Sequence, residues 1–199
     1  MRRFVGYLPG VEEPFDVELV AASDHADLAV LQCSNVTGQV PPLELREEPV
    51  EAGDEVIILG FPTGIQALLA RADESFVEAL AKEGDLDFWA VARRLAKTGR
   101  ITPLASRGIV GQTTPAYVVY DAETTSGGSG GPVLDLDGRV VAVNAAVIPQ
   151  FGGSNLGVPA EKARQLLAAA SATAPAAEPT APVVVPAAAG DSEVGADRP

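Results

Sequence analysis

Ser129 stands among four glycines in the run Thr125-Ser126-Gly127-Gly128-Ser129-Gly130-Gly131-Pro132. A hydroxyl is a weak nucleophile, so acyl transfer needs it exposed, with backbone N–H donors aimed at the developing oxyanion. Glycines allow the positive φ values and close approaches that such a nest of donors demands. A Gly/Ser-rich turn between strands, with no chemistry, is the alternative for the same residues. A second candidate, Asp27, opens the run Asp27-Leu28-Ala29-Val30-Leu31. An acid at the start of an apolar strand is rigidly anchored and suited to orient a histidine and stabilise its imidazolium; it equally suits a turn cap. The third group needed is a histidine, and the chain has one, His25, two residues before Asp27. Residues i and i+2 of a strand share a face, yet so near a neighbour must curl back to sit between acid and serine. His25 reads better as an exposed turn residue.

The elements that position these groups follow from pattern. Val133-Leu134-Asp135-Leu136 and Arg139-Val140-Val141-Ala142-Val143-Asn144-Ala145-Ala146 flank Asp137-Gly138, which predicts a hairpin with a two-residue primed turn. Residues 152–160 lead into a helix over 161–167. Residues 4–9, 15–21 and 28–33 read as strands, 41–45 as a connector, and Val56-Ile57-Ile58-Leu59-Gly60 as a further strand. Between about Ile65 and Gly99 the period turns helical. One helix is expected over 67–82, and a second from the N-cap Asp87 to Gly99, with Trp89 as its anchor. This insertion is either a lid or docking element, or a hairpin that covers barrel surface.

The Ser129 loop resembles the nucleophile loop of chymotrypsin-like serine proteases, Gly-(Asp/Asn)-Ser-Gly-Gly-Pro, with Gly128 where Asp or Asn is usual. Ala26-Asp27-Leu28-Ala29-Val30-Leu31 is similar to the strand that carries the triad aspartate in the HtrA-type bacterial peptidases. The order of loop, hairpin, last strand and C-terminal helix is similar to theirs as well. The resemblance runs from about Val17 to about Leu167, with one interruption.

It implies an all-β, chymotrypsin-like double β-barrel with the first barrel incomplete, a helical hairpin insertion and a C-terminal helix. It implies a serine endopeptidase in which Ser129 is the nucleophile, the N–H groups of Gly127 and Ser129 form the oxyanion hole and Asp27 is the orienting acid. A peptide or protein substrate is then expected to pair along Asn144, Ala145 and Ala146. Glu123, six residues before Ser129, either selects basic side chains or is a solvated loop acid. No cofactor and no metal are implied. The family's Thr-Ala-Xaa-His segment lies upstream of the acid and is not found in these residues. An N-terminal truncation is therefore expected, with a periplasmic or secreted protein if a leader precedes; a pseudoprotease that binds peptides is the alternative.

Composition sets the outer limits. The expected organisation is a partial first barrel over 1–48, a second barrel over 49–170 with the insertion at about 66–99, and a disordered Ala/Pro-rich tail over 171–199. Gly 20 and Pro 16 in 199 residues suit an all-β chain with frequent turns. A formal charge of −13 argues against nucleic acid and anionic membrane surfaces. No apolar run approaches the roughly 18 residues of a membrane span. The single Cys33 rules out an internal disulfide and is expected to be a buried thiol. One His and one Cys cannot make a zinc site.

Overall fold

Alternation along the chain builds the first sheet. In the computed structural model, which describes residues 4–33, 36, 40–84, 86–124, 126–147 and 154–173, β1 (Phe4–Gly6), β2 (Phe15–Ala22) and β3 (Ala29–Cys33) pair antiparallel in that order. Phe4 lies opposite Val17, Val17 opposite Cys33, and Leu19 opposite Leu31. Directly paired residues share a face, so one face of this sheet is apolar. It is not covered by the described residues: Phe4, Leu19 and Leu31 are 50%, 57% and 50% exposed. Cys33, expected to be buried, is exposed because it belongs to that face.

The second sheet closes. Strands β4 (Glu55–Gly60), β5 (Leu104–Thr113), β6 (Val118–Tyr120), β7 (Pro132–Leu134), β8 (Val140–Val147) and β9 (Asn155–Pro159) form a barrel of order β4-β5-β6-β9-β8-β7, in which β7 also pairs with β4. Closure removes free edges, and the inward residues are fully buried, with Val56, Val133 and Val158 at 0% exposure. Helix α4 (Ala160–Thr173) leaves β9 and packs on β8 and on β2 and β3, tying the two sheets together. It runs through the start of the expected tail, and residues 174–199 lie outside the described residues.

The β7–β8 connection departs from the expected primed turn. Asp135 N–H donates to Arg139 O at 2.9 Å, and Gly138 takes φ 82°. The loop is thus three residues, 136–138, ending in a left-handed glycine. Buried Asp135 shapes it, accepting from the N–H groups of Asp137 (3.0 Å) and Arg139 (2.9 Å) and pairing with the Arg139 guanidinium. A carboxylate that satisfies two turn amides favours the longer loop over the tight one.

The insertion holds three helices, not two: α1 (Ile65–Ala70), α2 (Glu74–Lys82) and α3 (Phe88–Lys97). The expected helix over 67–82 breaks because Asp73 takes an extended conformation (φ −66°, ψ 154°) and caps α2, accepting from Phe76 N–H at 2.9 Å. Asp87 caps α3, accepting from Ala90 N–H at 2.7 Å. Leu68, Phe76, Leu80 and Leu95 form the buried cluster of the insertion. Trp89, at 49% exposure, is not its anchor. The Ser75 hydroxyl, the Arg100 guanidinium and the Phe76 N–H together hold the Asp73 carboxyl well below the usual carboxylate range. Folding lowers this pKa, so the contribution is complete above the unfolded value of about 3.9 and is lost as pH falls below it. Asp73→Ala is therefore expected to lower the melting temperature at pH 7, with the gap to the parent narrowing below about pH 4; paired thermal melts across that range check it.

Candidate active site

The Ser129 loop is held from two sides. On one side, Gly130 N–H donates to Asn144 O at 2.7 Å and Asn144 N–H to Gly131 O at 2.9 Å, which fastens the loop to β8. On the other, Thr63 N–H donates to Ser126 O at 2.7 Å. Gly131 N–H turns back to Gly128 O at 3.1 Å. None of these bonds engages the N–H of Gly127 or Ser129. Gly127 takes φ 96°, and a Cβ there would lie 2.5 Å from the Phe61 carbonyl oxygen. Only glycine fits that position.

Ser129 is exposed, and its hydroxyl donates to Ala145 O at 3.1 Å. Ala145 falls where the β8–β9 register shifts, between Asn144 and Ala146, and a bulge there turns the carbonyl out of the ladder. Asn144, expected to touch substrate, has its side chain buried at 3% exposure. The Tyr120 hydroxyl donates to Asn144 Oδ1 at 2.6 Å. Burial pushes the Tyr120 phenol above its ordinary value, so it stays a donor. The Asn144 backbone holds Gly130 and Gly131, so this residue positions the loop. Nothing in the sequence marked Tyr120 for that task.

Asp27 is expected on a strand and buried; it is exposed, in the turn between β2 and β3. The Ser23 hydroxyl accepts from the N–H groups of His25 (3.2 Å) and Ala26 (3.1 Å), and Leu28 N–H donates to Ala26 O at 2.8 Å. These bonds define the turn without engaging the Asp27 carboxylate. His25 is exposed in the same turn.

Asp27 and Ser129, more than one hundred residues apart in sequence, line one cavity of about 830 Å³. The turn and β3 supply Asp27, Leu28 and Val30, the barrel supplies Ser129, Asn144 and Ala145, and α4 adds Leu166 and Leu167. The α4 leucines were not singled out in the sequence; their apolar spacing gave no sign that they face a cleft. His25, Glu123, Gly127 and Ala146 are not among the lining residues. Glu123 is exposed, beyond β6. Among the described residues, no group of three or more His, Cys, Asp or Glu is placed to hold a metal ion, and no helix is long and apolar enough to cross a membrane.

The family model for the trypsin-like peptidase domain matches residues 4–143. Periplasmic pH-dependent serine endoprotease DegQ of Escherichia coli is 23% identical over 155 residues, which are 76% of this chain and 28% of DegQ. Serine protease HTRA1 of Xenopus tropicalis is 24% identical over 160 residues, 77% of this chain and 28% of HTRA1. Serine protease Rv3671c of Mycobacterium tuberculosis is 26% identical over 132 residues, 66% of this chain and 28% of that protein. The chain thus spans 28% of the length of each of these relatives. Among solved structures, a serine endoprotease from Yersinia pestis superposes with a TM-score of 0.57 at 16% identity, over 81% of this chain and 46% of that one. Rv3671c in an inactive form superposes with a TM-score of 0.55 at 19% identity, over 83% of this chain and 70% of that one. At these identities the structural likeness shows the fold.

Proposed function

The chain belongs to the trypsin-like peptidase domain family of serine proteases, with HtrA-type relatives, and from that premise we propose that it carries the nucleophile and substrate groove of an endopeptidase. The observation that carries the reading is the shared cavity: Ser129, Asp27 and Ala145 all line the space between the first sheet and the barrel. In this reading Ser129 Oγ attacks a peptide carbonyl, and the bond from oxygen to carbon forms as the carbonyl π pair moves to oxygen. The N–H groups of Gly127 and Ser129 receive that oxyanion. A histidine from outside these residues takes the hydroxyl proton and returns it to the departing amine, and Asp27 orients it. Water then releases the acyl group. The acyl side of the substrate pairs with β8 at Ala145 and Ala146, beside the position that Asn144 holds. Glu123 could meet a basic side chain only from outside this cavity.

A second reading rests on a different observation. The Ser129 hydroxyl is spent on Ala145 O, and His25, the one histidine, is outside the cavity. These favour a peptide-binding module without turnover. An activated ester separates the two. The endopeptidase reading expects one equivalent of alcohol released per chain, slow deacylation, and an acyl group on Ser129 that is absent from Ser129→Ala. No burst, or a burst that survives Ser129→Ala, contradicts it. Stopped acylation with mass analysis of the protein reads both.

A further inference from the structure

A second groove, of about 500 Å³, lies between β1 and the insertion. Phe4, Tyr7, Phe61, Phe88, Trp89 and Ile101 are among its walls. Phe4, Phe88 and Trp89 are 50%, 60% and 49% exposed, and the rings of Phe88 and Trp89 meet edge-to-face at 5.1 Å. Three partly exposed aromatic side chains in one groove give it an apolar wall suited to an apolar guest. Its place relative to Ser129 says what it would bind. The segment that supplies Phe61 is the one that abuts the nucleophile loop at Ser126 and Gly127. Strand β8 abuts the same loop at its other end, through Gly130 and Ser129. An acyl portion laid along β8 therefore leaves the Phe61 side to the departing portion of the chain. The Tyr7 hydroxyl, shielded from solvent, has no hydrogen-bond partner among the described residues, a polar atom better matched by a peptide amide or carbonyl than by a hydrocarbon.

We infer that this groove is a subsite for the leaving-group side of a bound polypeptide, and that it takes an aromatic or large aliphatic side chain. The assignment rests on Ser129 being the nucleophile. It gives the insertion a part in choosing substrates, because Phe88 and Trp89 come from α3 and Ile65 and Leu68, also in its walls, from α1.

Trp89 is the only tryptophan of the chain, so its emission reports on this groove. Capped alanine peptides in which a single phenylalanine is moved stepwise along the chain are titrated against the protein. One position is expected to shift Trp89 emission saturably, binding at least about tenfold more tightly than the all-alanine peptide, the usual worth of a filled apolar pocket. Phe88→Asp, at a position 60% exposed, is expected to weaken that binding by about tenfold or more, with an unchanged melting curve. Phosphonylating Ser129 with a small reagent is expected to leave the binding within about twofold, because the reagent fills the acyl side. Equal binding by all peptides overturns the subsite. So does loss of binding on phosphonylation, or a concentration-dependent Trp89 shift without peptide, which would assign the groove to a second copy. An ester burst on Ser129 without any Trp89 response overturns the subsite and leaves the nucleophile intact. A Trp89 response without a burst contradicts the nucleophile, and with it the leaving-group assignment.

Discussion

Free imidazole is expected to accelerate acylation of Ser129 in this chain by about 10²-fold or more, the usual contribution of a positioned general base. The cavity that holds Ser129 and Asp27 is about 830 Å³, ample for a small heterocycle. In the proposed mechanism a base acts between them. Asp27 is exposed and its turn is built from backbone amides and the Ser23 hydroxyl, so an imidazolium can reach its carboxylate. Asp27→Asn is accordingly expected to remove about tenfold or more of the acceleration while leaving the uncatalysed rate alone. His25→Ala is expected to change neither rate, since His25 lies outside the cavity lining. Ester-burst rates over a series of imidazole concentrations read the parent and both variants. Acceleration that is equal in parent and Asp27→Asn would remove Asp27 from the mechanism.

A single methyl group at Gly131 is expected to displace the nucleophile loop. Its Cβ would lie 2.1 Å from Leu59 O and 3.0 Å from Gly128 O, both backbone atoms that cannot swing aside. Overpacking of this kind costs about 3 kcal/mol or more, which in a chain of this size lowers the melting temperature by about 6–12 °C. Gly111→Ala is the control, for its Cβ would meet only Val119 O, at 4.0 Å. It is expected to change the melting temperature by no more than about 2 °C. Gly127→Ala combines a positive φ with a contact at 2.5 Å to Phe61 O. Its expected signature is different: loss of the ester burst exceeding the loss of stability, because in the proposed mechanism the displaced residue is itself an oxyanion donor. Thermal melts and burst amplitudes on the three variants check the ordering. A Gly131→Ala protein as stable as Gly111→Ala would mean that Leu59 and the loop are not packed as described.

Much of this architecture was legible because local signals and tertiary demands agree. The strands of the barrel are β-branched and alternate, the helix after Pro159 follows a clear strand end, and Asp87 is a strong cap with an apolar face behind it. The loop at Ser129 was legible for a different reason: four glycines around one serine have few uses other than a donor nest or a turn. What the sequence obscured was decided by side chains that satisfy backbone groups. Asp73 splits a continuous apolar period because its carboxylate serves Phe76 N–H. Asp135 lengthens the turn at Gly138 by serving two amides. Asn144 is expected to pair with substrate through its backbone, and its side chain is taken by Tyr120, from a strand 24 positions earlier. Cys33 and Trp89 look like core by residue type, and both are exposed because the faces that carry them are not covered by the described residues.

In the proposed mechanism Ser129 Oγ is the reacting atom, and a fluorophosphonate reads it without a peptide substrate. The protein is treated with the reagent in the presence of imidazole, digested, and the peptides are mapped by mass spectrometry. One phosphonyl group per chain is expected, on Ser129, and none on Ser129→Ala treated in the same way. No adduct, or an adduct elsewhere that survives Ser129→Ala, would contradict it.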